Sequence, residues 1–152
     1  MELKVGYAFM VADLLHYGHL HFLRECRKDC DFLIVGVYVD ELVASYKRRP
    51  IIPFGERIEL VKELRVVDLV VPVRDRDCTP ALKKLVEEGW KVEFLFHGDD
   101  WSPDDPDLKK SREYIESVGG RLIQPRYYEE RTTTGIIKEI VRRHMEGEKL
   151  WN

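Results

Sequence analysis

The sequence predicts an α/β fold, a Rossmann-like doubly wound parallel sheet of five strands with helices on both faces. Two observations carry this prediction. Short apolar runs typical of strands alternate with segments in which apolar residues have helical spacing. One run, DFLIVGVYV at residues 31–39, is almost uninterrupted, as expected for a central parallel strand that is covered on both faces.

The elements follow in order along the chain. LKVGYAF near the N-terminus predicts the first strand, and Leu20, Leu23 and Cys26 have helical spacing up to about Asp29. After the strand at 31–39, the charged link SYKRRP leads into a helix. The other predicted elements are strands at 67–73, 91–97 and 121–125 and helices at 53–65, 79–89, 107–120 and 133–145, followed by a frayed tail, EGEKLWN.

Length and composition exclude several classes of function. A chain of 152 residues with 44% hydrophobic residues is typical of one globular domain. The net charge of −3 gives no global basic field for nucleic acid, so an anionic partner needs a local cluster. No apolar stretch approaches the roughly 18 residues of a membrane span.

Three cysteines, with no CxxC pair and no secretory leader, predict reduced thiols and a cytoplasmic location. Cys26 and Cys30 lie four residues apart on the first predicted helix. They could join nearby histidines as metal ligands, or they are simply small buried residues of an amphipathic helix. We favour the second interpretation.

Polar residues follow four of the predicted strands at the points where those strands end. In a doubly wound sheet, ligands bind beyond the carboxyl ends of the strands, so these residues should share one rim. All four sets are rich in groups that bind phosphate; they comprise residues 13–19, Asp40 with 47–49, 97–101 and 127–134.

The most distinctive of these sets contains His16 and His19, where the first strand turns into the first helix. The first-turn amides of a helix are unpaired and carry the positive end of its dipole, so they attract anions. Two imidazoles would add donors, and Gly18 lets the backbone approach closely. A zinc site that also uses His21 is the alternative, but helical geometry turns His21 away.

His16-Tyr17-Gly18-His19 resembles the His-x-Gly-His signature of the nucleotidyltransferase superfamily. The surrounding DLLHYGHLHFL most resembles the cytidylyltransferase branch, which includes the glycerol-3-phosphate, ethanolamine-phosphate and choline-phosphate enzymes. Three further segments match this branch in order along the chain, and the resemblance implies one nucleotidyltransferase domain over 1–152. These segments are residues 35–71, HGDDW at 97–101 and RTTTGIIKEI at 131–140.

The resemblance implies a reaction in which a phosphorylated alcohol or amino-alcohol, such as glycerol 3-phosphate, attacks the α-phosphorus of CTP and releases pyrophosphate. It also implies Mg²⁺ accompanying the nucleotide, no protein-bound structural metal, and a homodimer. An adenylyltransferase of the same fold is the alternative. A further alternative is a nucleotide-binding regulator without turnover, because Met10, Val11 and Ala12 stand where the family has Gly-Thr-Phe.

Two sets of residues receive roles from the resemblance. Catalytic roles fall to His16, His19, Lys47 and Arg131. Arg57 and Arg65 serve either the site or a dimer contact, and Arg48 and Arg49 either assist Lys47 or form a solvated face. Nucleotide-binding roles fall to Asp13, Gly18, Asp40, Arg65, Gly98, Asp99, Asp100, Trp101, Thr132, Thr133 and Thr134.

Overall fold

A computed structural model describes residues 2–152. Its strands are β1 (Val5–Met10), β2 (Phe32–Tyr38), β3 (Leu69–Val73), β4 (Val92–Phe96) and β5 (Arg121–Ile123). All neighbouring strands pair in parallel, in the order β3-β2-β1-β4-β5. The predicted α/β fold with a five-stranded parallel sheet is confirmed.

Within the described part of the chain, six helices connect and cover these strands. They are α1 (Tyr17–Arg27), α2 (Asp40–Ala44), α3 (Phe54–Lys62), α4 (Thr79–Glu87), α5 (Pro106–Ser117) and α6 (Thr133–Met145). Among residues 2–152, no helix combines the length and the apolar character that a membrane crossing needs.

Alternation along the strands builds two apolar cores, one on each face of the sheet. On one face, side chains of β1 and β2 pack with Leu23 of α1 and Val61 of α3. On the other face, the sheet packs with Leu82 of α4 and Ile115 of α5. Helices therefore lie on both faces, as predicted, and Cys26 and Cys30 are buried free thiols in the α1 layer.

The strand order places a topological switch point between β1 and β4. From β1 the chain runs through β2 to β3 at one edge, then crosses to β4 and β5 at the other. The loops after β1 and β4 therefore diverge at their carboxyl ends and leave a crevice, which is where ligands bind in sheets of this kind.

The boundaries of several elements differ from the prediction. The sequence did not predict α2, whose five residues are too few to show apolar periodicity. Helix α3 ends at Lys62 rather than residue 65, because residues 63–66 form turns before β3. Helix α5 ends at Ser117 rather than residue 120, because Gly119 adopts a left-handed conformation with φ 91° and closes the helix.

Candidate functional site

The loop between β1 and α1 makes a sharp turn through two left-handed residues. Ala12 has φ 59° and Leu14 has φ 50°, a conformation that non-glycine residues rarely adopt. The turn sends the Asp13 side chain inward, where the residue is 2% exposed, and brings His16 to the start of α1. Strained backbone of this kind persists where the surrounding structure fixes it, often at functional sites.

The imidazole of His16 joins the starts of two helices. Its Nδ1 accepts from the backbone amide of Gly18 at 3.0 Å and caps α1. Its Nε2 lies 3.2 Å from Oγ1 of Thr133 at the start of α6, and that hydroxyl donates to the carbonyl oxygen of Asp13 at 2.9 Å. Because the hydroxyl proton is used on Asp13, His16 is the donor to Thr133, so its neutral form carries the proton on Nε2.

His19 presents its remaining ring N–H to the same crevice. Its Nδ1 accepts from the backbone amide of His16 at 3.1 Å, so the proton of the neutral ring lies on Nε2. Burial lowers the pKa of His19 to about 3, with further lowering by His16 and Lys47. Burial and Arg131 also lower the pKa of His16. Both imidazoles therefore act as neutral donors near pH 7.

Gly18 is required by packing within the protein. A Cβ at this position would stand 2.5 Å from the carbonyl oxygen of Arg131 and 2.8 Å from Cε1 of His16. The Arg131 backbone therefore lies directly against the first turn of α1. Close approach of backbone within the protein explains the glycine, whereas the sequence prediction placed a bound anion there.

Asp13 anchors the loop that follows α2. Its carboxylate accepts from the backbone amides of Ile51 and Ile52, each at 2.9 Å, and from the guanidinium of Arg48 at 2.9 Å. Burial alone would raise the pKa of Asp13, but these three donors hold it below its ordinary value. Asp13 is therefore a buried carboxylate whose charge fixes the loop on which Lys47 lies.

A second group of hydrogen bonds, centred on Arg57, holds the same loop. Arg57 is completely buried and donates to the carbonyl oxygens of Val11 and Ile52 and to the carboxylate of Asp40. Asp40 also accepts from the amide of Phe54 at 3.1 Å. Arg57 therefore makes its hydrogen bonds to groups of this chain. Of its two predicted roles, the structure favours support of the site loop, because the side chain is not exposed for a dimer contact.

Cationic side chains gather on the β2–β3 side of the crevice. Burial lowers the pKa of Lys47, and the charges of Arg48 and Arg76 lower it further. Arg76 follows β3, pairs with Asp107 at 2.8 Å and covers the ring of Tyr46, with Cζ 4.2 Å from its centroid. This positive cluster is suited to an anion.

Aromatic and polar groups occupy the β4–β5 side. His97 and Trp101 stack with their ring centroids 4.3 Å apart. Burial lowers the pKa of His97, whose Nδ1 lies 2.8 Å from the carbonyl oxygen of Gly98. The carboxylate of Asp99 accepts from the amide of Tyr127 at 2.6 Å and ties the loop after β4 to the loop after β5.

The segment before α6 closes the crevice from above. Tyr128 packs edge-on against Tyr17, with centroids 5.2 Å apart, and lies 5.0 Å from the ring of His21. His21 therefore helps to hold this segment against α1, which the sequence did not predict. At the start of α6, the Thr132 hydroxyl accepts from the amide of Gly135 at 2.9 Å and caps the helix.

These groups enclose one cavity of about 800 Å³. Among residues 2–152, no cluster of three or more histidine, cysteine or acidic side chains could hold a metal ion. Twelve of the predicted site residues line the cavity: Asp13, His16, Gly18, His19, Lys47, Gly98, Asp100, Trp101, Arg131, Thr132, Thr133 and Thr134.

The structure does not bring three predicted site residues to this cavity. The carboxylate of Asp40 accepts a hydrogen bond from Arg57, and that of Asp99 accepts one from the amide of Tyr127. Arg65 is exposed in the turn before β3, at the amino end of that strand, whereas the cavity lies at the carboxyl ends. In contrast, Arg48 lines the cavity, so this arginine is more than part of a solvated face.

The sequence interpretation gave no role to several other residues that line the cavity. These include Arg76, Lys138, Tyr38 and Tyr46. Arg76 lies three residues after β3, so the rule that selected the other strand ends could have found it. Nothing in the sequence pattern marks Tyr46 or Lys138, which reach the cavity from helical or turn segments.

The sequence model of the cytidylyltransferase-like family matches residues 11–140. The chain belongs to this family. The predicted resemblance is therefore confirmed.

Individual relatives agree with this membership. The chain is 35% identical over 88 residues to an ethanolamine-phosphate cytidylyltransferase of Arabidopsis thaliana, an alignment that covers 58% of this chain and 21% of that protein. It is 35% identical over 130 residues to the bifunctional protein HldE of Geotalea uraniireducens, covering 84% and 25%. The chain thus spans about a quarter of the length of these curated relatives.

A solved structure is similar over nearly the whole domain. The lipopolysaccharide core biosynthesis protein of Thermoplasma volcanium superposes with a TM-score of 0.68 at 26% identity. The match covers 84% of this chain and 100% of that one. The Rossmann-like sheet is therefore shared with a protein of the same fold.

Proposed function

We propose that this protein is a cytidylyltransferase that transfers CMP from CTP to a small phosphorylated alcohol and releases pyrophosphate. The observation that carries the proposal is the meeting of two helix starts through His16 and Thr133. The first amides of α6 and a neutral imidazole N–H line one cavity, and such donors suit a triphosphate. Membership of the cytidylyltransferase-like family supports the choice of nucleotide.

The chemistry asks for positioning and charge stabilisation more than for a base. The phosphate of the acceptor is already ionised at neutral pH, so one of its oxygens can attack the α-phosphorus directly. The bond from that phosphorus to the bridging oxygen breaks, and pyrophosphate leaves with the electron pair. We propose that Nε2–H of His19 stabilises the charge on the α-phosphate oxygens, while His16 fixes the two helix starts relative to each other.

Lys47 and Arg131 would neutralise the anions on either side of the reacting phosphorus. Lys47 lies on the loop that Asp13 anchors, and Arg131 immediately precedes the threonines of α6. The hydroxyls of Thr132 and Thr134 and the first amides of α6 would receive the leaving phosphates. Arg131 is exposed and lines the cavity, so it is free to fold onto a bound nucleotide.

We propose that Mg²⁺ enters with the nucleotide. Of the two carboxylates lining the cavity, Asp13 is used by Ile51, Ile52 and Arg48, which leaves Asp100. A Mg²⁺ ion keeps several waters and binds through one or two carboxylates plus substrate phosphates, so this donor set fits. The ion would supply charge neutralisation on the triphosphate, and Asp100 is the side chain that would hold it.

We also propose a cytoplasmic homodimer. Three buried free thiols support a reducing compartment. The exposed apolar side chains Ile140, Val141 and Met145 on α6 support contact with a second copy. Sedimentation equilibrium of the wild-type chain should give twice the mass of 18.0 kDa. Replacing Ile140 and Val141 by lysine should then give the monomer mass.

The test is a pyrophosphate-release screen with Mg²⁺, CTP or ATP, and a panel of phosphorylated alcohols and amino-alcohols. We expect release with CTP and at least one acceptor, reduced about 100- to 1,000-fold in His16→Ala. Preference for ATP would contradict the cytidylyl assignment and leave the family intact. Nucleotide binding without pyrophosphate release across the panel would instead support the alternative suggested by Met10-Val11-Ala12, a nucleotide-binding regulator without turnover.

A further inference from the structure

We infer that the acceptor lies on the β2–β3 side of the cavity, with its phosphate at Lys47 and its far end against Arg76. We further infer that this arrangement selects polyol or sugar phosphates over amino-alcohol phosphates. The inference rests on the proposed function and specifies the acceptor of the same site. One of the similar relatives is named as an ethanolamine-phosphate enzyme, so the inferred preference differs from the acceptor in that relative's name.

The two sides of the cavity differ in chemistry. On the β4–β5 side, the His97–Trp101 stack and the ring of Tyr127 offer flat surfaces and polar edges. An uncharged nucleoside suits such a surface, because a base stacks on aromatic rings without needing a countercharge. The β2–β3 side carries Lys47 and Arg76, and a dianionic acceptor phosphate does need countercharge.

Tyr46 brings the two cations of the acceptor side together. Lys47 Nζ lies 5.5 Å from the centroid of the Tyr46 ring, and Cζ of Arg76 lies 4.2 Å from the same centroid. Lys47 is also close enough to His19 to lower the pKa of that imidazole. Lys47 therefore stands between the triphosphate region and Arg76, so an acceptor whose phosphate meets Lys47 extends toward Arg76.

Arg76 is held in place by Asp107 and Tyr38. Asp107, near the start of α5, pairs with its NH2 group at 2.8 Å, and the Tyr38 hydroxyl donates to the Arg76 carbonyl oxygen at 3.5 Å. Asp107 does not line the cavity. Its charge orients Arg76 while leaving other N–H groups of the guanidinium for a ligand.

Among residues 2–152, an ammonium group would find no free carboxylate on this side. A bound ammonium needs a carboxylate or an open aromatic face. The only carboxylates among the cavity-lining residues of the described chain are Asp13, which is buried and already bonded, and Asp100, which lies across the cavity beside His97. The Tyr46 ring already carries Arg76. Hydroxyl or carboxylate oxygens of an acceptor, in contrast, can accept from the guanidinium.

The experiment measures pyrophosphate release from CTP with glycerol 3-phosphate, a set of sugar phosphates, ethanolamine phosphate and choline phosphate. The variant is Arg76→Gln, and the matched control is Arg74→Gln, an exposed arginine of the same loop that does not line the cavity. Thermal melting of all three proteins shows whether Arg76→Gln also loosens α5 through Asp107.

For the wild type we expect a higher kcat/KM with at least one polyol or sugar phosphate than with either amino-alcohol phosphate. Arg76→Gln should lower that kcat/KM about 10- to 100-fold, mainly through KM, as expected for a lost charge-assisted hydrogen bond. Arg76→Gln should also lower the ratio of kcat/KM for that acceptor to kcat/KM for ethanolamine phosphate. Arg74→Gln should change neither kcat/KM nor this ratio.

Wild-type preference for ethanolamine or choline phosphate would overturn the inference and leave the proposed function standing. An unchanged acceptor ratio in Arg76→Gln would do the same. Absence of release with every acceptor would overturn the proposed function, and the inference with it.

Discussion

Gly18→Ala should damage the site while barely affecting the helix that carries it. Gly18 is the second residue of α1, and a Cβ there would stand 2.5 Å from the Arg131 carbonyl oxygen. Ordinary contact between a carbon and a carbonyl oxygen is about 3.3 Å, so the start of α6 must move by somewhat less than 1 Å. That movement strains the hydrogen bond between His16 and Thr133 and shifts the α6 amides away from the triphosphate.

A displacement of about 1 Å at reacting groups can cost roughly 100-fold in rate, so kcat for pyrophosphate release should fall by 10- to 100-fold on that scale. Gly55→Ala is the matched control, because Gly55 is the second residue of α3 and its Cβ would meet nothing within 4 Å. That variant should keep full activity and gain about 0.5–1 kcal/mol of stability, since alanine favours the helix over glycine.

Rates and urea unfolding of both variants test this reasoning. If Gly18→Ala turned over as fast as Gly55→Ala, the contact between α1 and the start of α6 would not control the site. If Gly18→Ala simply unfolded, an unchanged nucleotide-binding constant in the surviving folded fraction would equally refute the positional argument.

Three further outcomes follow from the site. Replacing Asp13 by Ala should cost about 2–5 kcal/mol in urea unfolding, because two partly buried amides and Arg48 lose their buried acceptor; a loss below 1 kcal/mol would show that the loop has other anchors. The pKa of His19 is about 3 in the folded chain and 6.5 in the unfolded chain. Below pH 6.5 the unfolded chain therefore binds an extra proton, and the free energy of unfolding falls as the pH falls toward 3, by about 2 kcal/mol at pH 5. His19→Gln should flatten that part of the pH–stability curve, and an equal slope in both proteins would contradict the neutral His19. Chelation by EDTA should abolish turnover yet leave the melting temperature unchanged, because no structural metal is expected; a lower melting temperature would reveal one.

The sequence predicted the sheet well because its strands are short, apolar and regularly spaced. Burial on both faces leaves β2 nearly free of polar residues, which is visible without coordinates. Helix ends were less accurate, because they depend on local turns such as those at residues 63–66. The five-residue helix α2 begins with Asp40 and Glu41 and has too few apolar positions for a period to appear.

The site was predicted in outline because parallel strands bring their carboxyl ends to one rim. A motif position does not reveal what a carboxylate bonds to, however. Asp40 and Asp99 follow strand ends, yet their oxygens accept from Arg57 and from the amide of Tyr127. The contact of His21 with Tyr128 joins residues distant in sequence, so no local pattern could show it.

The neutral imidazoles also required the structure. Two histidines at a helix start suggested donors of unspecified charge. In the structure, Nδ1 of His16 accepts from the amide of Gly18 and Nδ1 of His19 accepts from the amide of His16, which leaves Nε2–H as the donor in both rings. Burial then keeps both rings neutral at pH 7.

The most direct measurement is ³¹P NMR of a reaction containing CTP, Mg²⁺ and the preferred acceptor. We expect the acceptor phosphorus to become joined to the CMP phosphorus in a phosphoanhydride, seen as two coupled doublets, with one equivalent of inorganic pyrophosphate. His16→Ala should show neither signal on the same time scale. Release of free CMP or CDP without the coupled doublets, or equal product from His16→Ala, would contradict nucleotidyl transfer at this cavity.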